Sequence, residues 1–122
     1  MLCNPGNPTG AVYTHEDLER VAELAIKHDL FIITDEVYRE FVYDGYTHTS
    51  ILSFPEIADR AIMVDSISKR YSACGARIGC LVSKNKELIA AALKFAQARL
   101  CPPTLEQLAA TAAIELRGEY FN

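Results

Sequence analysis

The chain has 122 residues, with 12 basic and 16 acidic side chains giving a formal net charge of −4, and half of its residues are apolar. That length suits one domain around one core, and the even spread of charged and aromatic residues excludes a disordered tail. The acidic balance, with no basic run longer than Lys69-Arg70, lacks the footprint of a nucleic-acid binder, and no apolar run approaches the ~20 residues that span a bilayer.

In chain order, Met1-Leu2-Cys3 reads as the end of a strand. Cys3 to Gly10 then holds two Pro and two Gly in eight residues, which forbids helix and marks a sharply structured loop. Thr14 with Asp17 has the form of a capping box, and Leu18, Val21, Ala22 and Ala25 recur at helical spacing, predicting an amphipathic helix to about His28. Leu30-Phe31-Ile32-Ile33-Thr34, ending at Asp35, predicts a strand buried on both faces. Ala61-Ile62-Met63-Val64, ending at Asp65-Ser66, predicts a second. Between them, Arg39 to Asp59 reads as loop with short helical pieces, a turn at Asp44-Gly45, and Pro55 after Phe54.

An apolar strand from Arg77 to Val82 follows Lys69 after only a few residues. A parallel crossover needs a dozen or more, so this strand is expected to be antiparallel and at an edge. Two helices follow, about Lys86 to Arg99, with Leu88, Ala92 and Phe95 on one face, and Leu105 to Arg117. Pro102-Pro103 separates them, Thr104 with Gln107 suggests a second capping box, and Gly118 suits a C-cap. The alternation predicts an α/β architecture with a mostly parallel sheet and no repeat or internal boundary. In such sheets the chemistry collects at the carboxyl ends of the strands, where Asp35 and Ser66 to Lys69 lie. The abrupt ends, Met1-Leu2-Cys3 and Tyr120-Phe121-Asn122, give the expectation of a piece of something larger.

Cys3, Cys74, Cys80 and Cys101 are scattered, with no C-x-x-C pair, and read as reduced, buried thiols. His15, His28 and His48 lie too far apart for a metal site and read as surface or capping residues, so no metal is expected. With no charged, apolar leader at the start, the expectation is a cytoplasmic globular chain.

Taken alone, Asp35 is a turn or cap residue, Lys69 a solvated lysine and Asn4 to Gly10 a tight turn. Arg77 inside an apolar strand is harder to dismiss, since an unpaired charge there is costly and calls for an anion. One cofactor needs the whole set. Pyridoxal phosphate requires a lysine amine for a Schiff base with its aldehyde and a carboxylate to keep its ring nitrogen protonated, roles open to Lys69 and Asp35. Its phenolic oxygen calls for donors such as Asn7 and Tyr38, and its phosphate for a hydroxyl and a guanidinium fork, available in Ser66 and Arg77. Competing patterns are absent: there is no G-x-G-x-x-G, no G-x-x-x-x-G-K-[ST] and no G-x-S-x-G.

Asn7-Pro8-Thr9-Gly10, then Asp35-Glu36-Val37-Tyr38, then Ser66-Ile67-Ser68-Lys69, with Arg77 eight residues after the lysine and Gly79 two beyond it, strongly resembles the class I/II aminotransferases. Those are fold-type I pyridoxal phosphate enzymes, and the resemblance runs in order from Asn4 to at least Val82. It implies the large-domain fold of that class and an aspartate-type or broad-specificity aminotransferase. Such an enzyme moves an amino group from an amino acid to a 2-oxo acid through a Lys69 Schiff base, and acts as a homodimer when complete. By resemblance, Lys69 also shuttles the proton at the substrate Cα, Asp35 pairs with the pyridine nitrogen, Asn7 and Tyr38 bond the phenolate oxygen, and Ser66 and Arg77 hold the phosphate. Ser68 shapes the turn or joins the site. Gly75 and Gly79 serve the backbone path around Arg77. Arg99 reads as a helix-end arginine, with a substrate carboxylate as its alternative.

The family is considerably longer. Its upstream phosphate-gripping loop and stacking aromatic, its downstream carboxylate-binding arginine and the partner subunit's tyrosine have no counterpart here. The chain therefore reads as the central part of the large cofactor-binding domain. A carbon–sulfur lyase on the same scaffold begins with the same steps and stays open, as does a non-catalytic binding module, against which the intact Lys69, Asp35 and Arg77 count.

Overall fold

The computed structural model describes residues 1–116 and 120. The expected end of the last helix at Arg117, its cap at Gly118 and the terminal Phe121-Asn122 lie outside the described residues. The chain order is β1 (Leu2–Cys3), α1 (His15–Lys27), β2 (Ile32–Asp35), 3-10 turns at Ile51–Ser53 and Pro55–Ile57, and β3 (Ala61–Ser66). Then come α2 (Ile67–Arg70), a 3-10 turn at Cys74–Ala76, β4 (Gly79–Val82), α3 (Lys86–Ala98) and α4 (Thr104–Ile114). The described strands form one sheet in the order β1-β2-β3-β4. The first three run parallel, with Leu2 opposite Thr34 and Asp35 opposite Val64. β4 joins antiparallel at the edge, Cys80 facing Asp65 and Gly79 facing Ser66, as the short connection requires. This is the expected α/β architecture.

The α1 cap forms as its sequence predicts. Asp17 N donates to Thr14 Oγ1, and Thr14 N donates back to Asp17 Oδ2 at 3.0 Å. His28 is the C-cap. Leu18, Ala22 and Ala25 of this helix bury against Ile32, Ala61 and Met63 of the sheet and against Ile51, Phe54 and Ile57 of the 3-10 turns. Each fully buried Leu or Ile there contributes roughly 1.5–3 kcal/mol. The region Arg39 to Asp59 is thus loop with short helical pieces, and Asp44 and Gly45 both take positive φ at the expected turn.

Several expectations need correction. β2 is not buried on both faces: Ile32 and Thr34 are buried, but Ile33 is 38% exposed and Phe31, before the strand, 59%. They point to the side away from α1. The two-faced burial expected of these runs belongs to the start of β3, where Ala61, Ile62 and Met63 are all buried. The last strand starts at Gly79, so Arg77 is not inside it; it ends the preceding turn in the left-handed conformation, φ 56°. The second capping box does not form, because Pro103 occupies the N-cap; Gln107 instead donates its side-chain amide to the Pro102 carbonyl at 2.7 Å. On α3, Leu88 and Ala92 are half-buried, while Phe95 points out.

The four cysteines are free, as expected, but Cys74, Cys80 and Cys101 are exposed, since they sit on a turn, the edge strand and the proline linker. Among the described residues no helix is long and apolar enough to cross a membrane.

Candidate functional site

Parallel strands deliver their last residues to one rim of the sheet, and three such ends meet here. The loop after β1 is pinned to β2 by Asn4, whose backbone N–H donates to the Asp35 carbonyl at 2.9 Å. The fully buried Asn4 side chain accepts from Tyr13 N and donates to the Thr49 carbonyl. Gly10, at φ 70°, closes that loop through a bond from its N–H to the Gly6 carbonyl. Asp35 is the last residue of β2, and its Oδ1 accepts from Val37 N at 3.1 Å, which turns the chain sharply after the strand.

Ser66 ends β3 and caps α2, its Oγ accepting from Ser68 N at 3.0 Å. The same oxygen lies 2.7 Å from Ser68 Oγ and 3.0 Å from the Ile78 carbonyl, so Ser68 takes part in the turn itself. One turn of helix then carries Lys69 outward, with its Nζ 5.9 Å from the centre of the Tyr38 ring. Arg77 returns to the same place from the 3-10 turn, with Nη1 donating to the Cys74 carbonyl at 2.9 Å. Gly79 is needed just beyond it: a Cβ there would stand 2.9 Å from the Asp65 carbonyl, whereas Gly75 meets nothing within 4 Å. The expected backbone role therefore holds sterically for Gly79 and not for Gly75.

Asp35, Ser66, Ser68, Lys69 and Arg77 line one open cavity of about 280 Å³. Tyr38 joins them through its contact with Lys69. Asn7 is exposed on the β1 loop and is not among the lining residues. A larger cavity of about 600 Å³ opens between β4, α2 and α4, with a mainly apolar lining that includes Ile67, Ile78 and Ala110; it contains neither Lys69 nor Asp35. The smaller cavity is therefore the chemically equipped one. It offers an amine, a carboxylate, a guanidinium and two hydroxyls at separate points, a set suited to a ligand with an anionic end, a basic nitrogen and a carbonyl.

Charged residues beneath this rim were not singled out from the sequence. Glu36, next to Asp35, is fully buried; its Oε1 accepts from Ser50 Oγ and Ile51 N, and its Oε2 lies 3.1 Å from His48 Nε2. His48 is thus neither a surface nor a capping residue but the half-buried partner of a buried carboxylate. His15 stacks on Phe54, ring centres 4.9 Å apart. Asp65, beside Ser66, binds Arg39 and Arg70 together. Although Cys80 is exposed on the edge strand, its thiol is partly desolvated, and this, followed by the Asp65 carboxylate opposite, pushes it above its ordinary range.

Comparison with known proteins places this arrangement. The family described as aminotransferase class I and II matches residues 1–120. Aromatic-amino-acid aminotransferase 2 of Thermococcus litoralis is 39% identical over 98% of this chain and 33% of its own length. The crystal structure of the aspartate aminotransferase of Thermotoga maritima superposes with a TM-score of 0.85 at 40% identity, covering 98% of this chain and 32% of that one. Cystalysin of Treponema denticola, whose structure contains a pyridoxal 5'-phosphate cofactor, superposes at 0.87 with 25% identity over 98% of this chain and 31% of its own. The chain therefore spans about a third of the relatives it matches. With the family model matched over nearly its whole length and relatives close to 40% identical across it, this chain belongs to the class I and II aminotransferases.

Proposed function

We propose that the protein carrying this chain is a pyridoxal phosphate-dependent aminotransferase that moves an amino group from an amino acid to a 2-oxo acid, and that residues 1–122 are the central part of its large cofactor-binding domain. The observation that carries this reading is the gathering of Asp35, Ser66, Lys69 and Arg77 around one cavity at the carboxyl rim of the parallel sheet. The cofactor, when bound, supplies an electron sink for the charge left on the substrate Cα after its proton is removed.

The residues divide the remaining work. Lys69 supplies the amine that holds the cofactor and the base that moves the proton at the substrate Cα. Asp35, held by its bond from Val37 N, keeps the proton on the ring nitrogen. Tyr38 would donate to the phenolic oxygen, and Asn7 would join it from the β1 loop, which stands outside the cavity lining. Arg77 and Ser66 take the phosphate, with the guanidinium giving a paired, charge-assisted contact. The four free cysteines support a reducing, cytoplasmic setting. Apolar surface on α3 and α4 and just before β2, including Phe31, Leu93 and Leu108, supports burial against further structure, as in a homodimer.

Borohydride reduction of the intact protein loaded with pyridoxal phosphate tests the assignment. Peptide mapping is expected to find the cofactor covalently attached at Lys69. Attachment at Lys27, Lys84, Lys86 or Lys94 instead would overturn it.

A further inference from the structure

We propose that Asp65 is a positioning residue that sets how the Tyr38 ring lies against the Lys69 amine, an inference that rests on Lys69 and Tyr38 belonging to the site described above. Lys69 and Tyr38 come from different segments, and the residue following each one reaches Asp65. Arg70 Nη2 lies 2.8 Å from Asp65 Oδ2, and Arg39 Nη2 lies 3.2 Å from the same oxygen. Asp65 Oδ1 accepts from Ser66 N at 2.7 Å, which fixes the carboxylate plane relative to the turn that carries Lys69. Glu40 closes the ring, its Oε1 standing 3.2 Å from Arg70 Nε and 3.7 Å from Arg39 Nε.

Two observations separate this cluster from an ordinary surface ion pair. The Asp65 side chain is only 6% exposed and that of Arg70 12%, so the pair is largely desolvated and held in one geometry. The cluster is also balanced, two guanidinium groups against two carboxylates; neutralising Asp65 leaves Arg39 and Arg70 facing Glu40 alone. With Asp65 in place, Tyr38 and Lys69 are each one residue from the same anchor, and the ring sits 5.9 Å from the ammonium. Lys69 is itself exposed, so releasing the anchor acts by letting the Tyr38 segment swing away and taking the ring from beside the amine, which leaves the amine free to react.

The test uses the intact, cofactor-free protein and a lysine-acylating succinimidyl ester, with labelling rates read lysine by lysine from peptide maps. Asp65→Asn is expected to raise the Lys69 rate at least threefold relative to Lys27 and Lys94, and Tyr38→Ala to do the same. The double variant is expected to match either single one, because both act by removing the ring. Arg39→Met removes the Tyr38 arm of the clamp together with its longer Glu40 contact, leaves the Asp65–Arg70 pair in place and is expected to give the same rise; it decides the matter if circular dichroism shows Asp65→Asn unfolded. An unchanged Lys69 rate in Arg39→Met, or additive effects of Asp65→Asn and Tyr38→Ala, overturns the proposal. Failure of borohydride to fix the cofactor at Lys69 strikes the functional reading alone, since this labelling needs no cofactor.

Discussion

Asp35 and Glu36 are adjacent acids with opposite fates. Asp35 faces the cavity at the end of β2, while Glu36 is fully buried and serves as the acceptor around which Ser50, Ile51 and His48 assemble. Asp35→Ala is expected to leave cofactor attachment at Lys69 intact but to slow exchange of the substrate Cα proton with solvent by orders of magnitude, because an unprotonated ring nitrogen is a poor electron sink. Exchange of that proton followed by NMR measures it, and parent-like exchange would reduce Asp35 to a turn residue. The residues that meet the cavity were legible because each belongs to a short motif with a chemical purpose. Glu36, His48 and Asp65 were not, because a charged side chain reads as solvated unless its partner is known, and Glu36 meets His48 and Asp65 meets Arg39 only once separate segments fold together. Arg77 shows the reverse error. The apolar residues after it suggested a strand, yet the left-handed backbone at Arg77 ends the turn before the strand begins.

At the level of elements, legibility tracks how local the cause is. The α1 cap is settled within four residues, and it forms as expected. Its Thr14 hydroxyl and backbone N–H both bind the Asp17 carboxylate, and the backbone bond is the larger cause that holds Asp17 below its ordinary value of 3.8. Thr14→Ala is expected to cost about 1 kcal/mol of stability at neutral pH in urea unfolding. A carboxyl lowered in the folded state stabilises it above the ordinary value and loses that contribution as pH falls through its folded value. The deficit of Thr14→Ala is therefore expected to shrink as the pH drops below 3.8, because the variant lacks the hydroxyl bond to the carboxylate while keeping the backbone one; a constant deficit across that range would deny the Thr14 hydroxyl its bond to Asp17. The Thr104 cap failed for a reason equally local, since a proline at the N-cap position has no side chain able to accept from the helix. β2 failed for a non-local reason. An unbroken apolar run states that both faces can be buried, but among the described residues the core cluster formed with α1 and the two 3-10 turns covers one side of β2.

Over the whole molecule, the chain presents the parallel sheet, its carboxyl rim and most of the proposed cofactor contacts, while α3 and α4 bury almost nothing apart from Ala110. That balance agrees with its coverage of about a third of its relatives. The family was readable from four motifs because their intervals reflect strand and loop lengths that bring them to one rim. The central claim is the reaction itself, and it is tested by following nitrogen. The intact protein, loaded with pyridoxal phosphate, is given a nitrogen-15-labelled amino acid and an unlabelled 2-oxo acid, and the products are read by mass spectrometry. The account predicts that the label appears in the amino acid formed from the 2-oxo acid, with the donor leaving as its own 2-oxo acid in equal amount. Label released as free ammonium would mean elimination in place of transfer, and would contradict it.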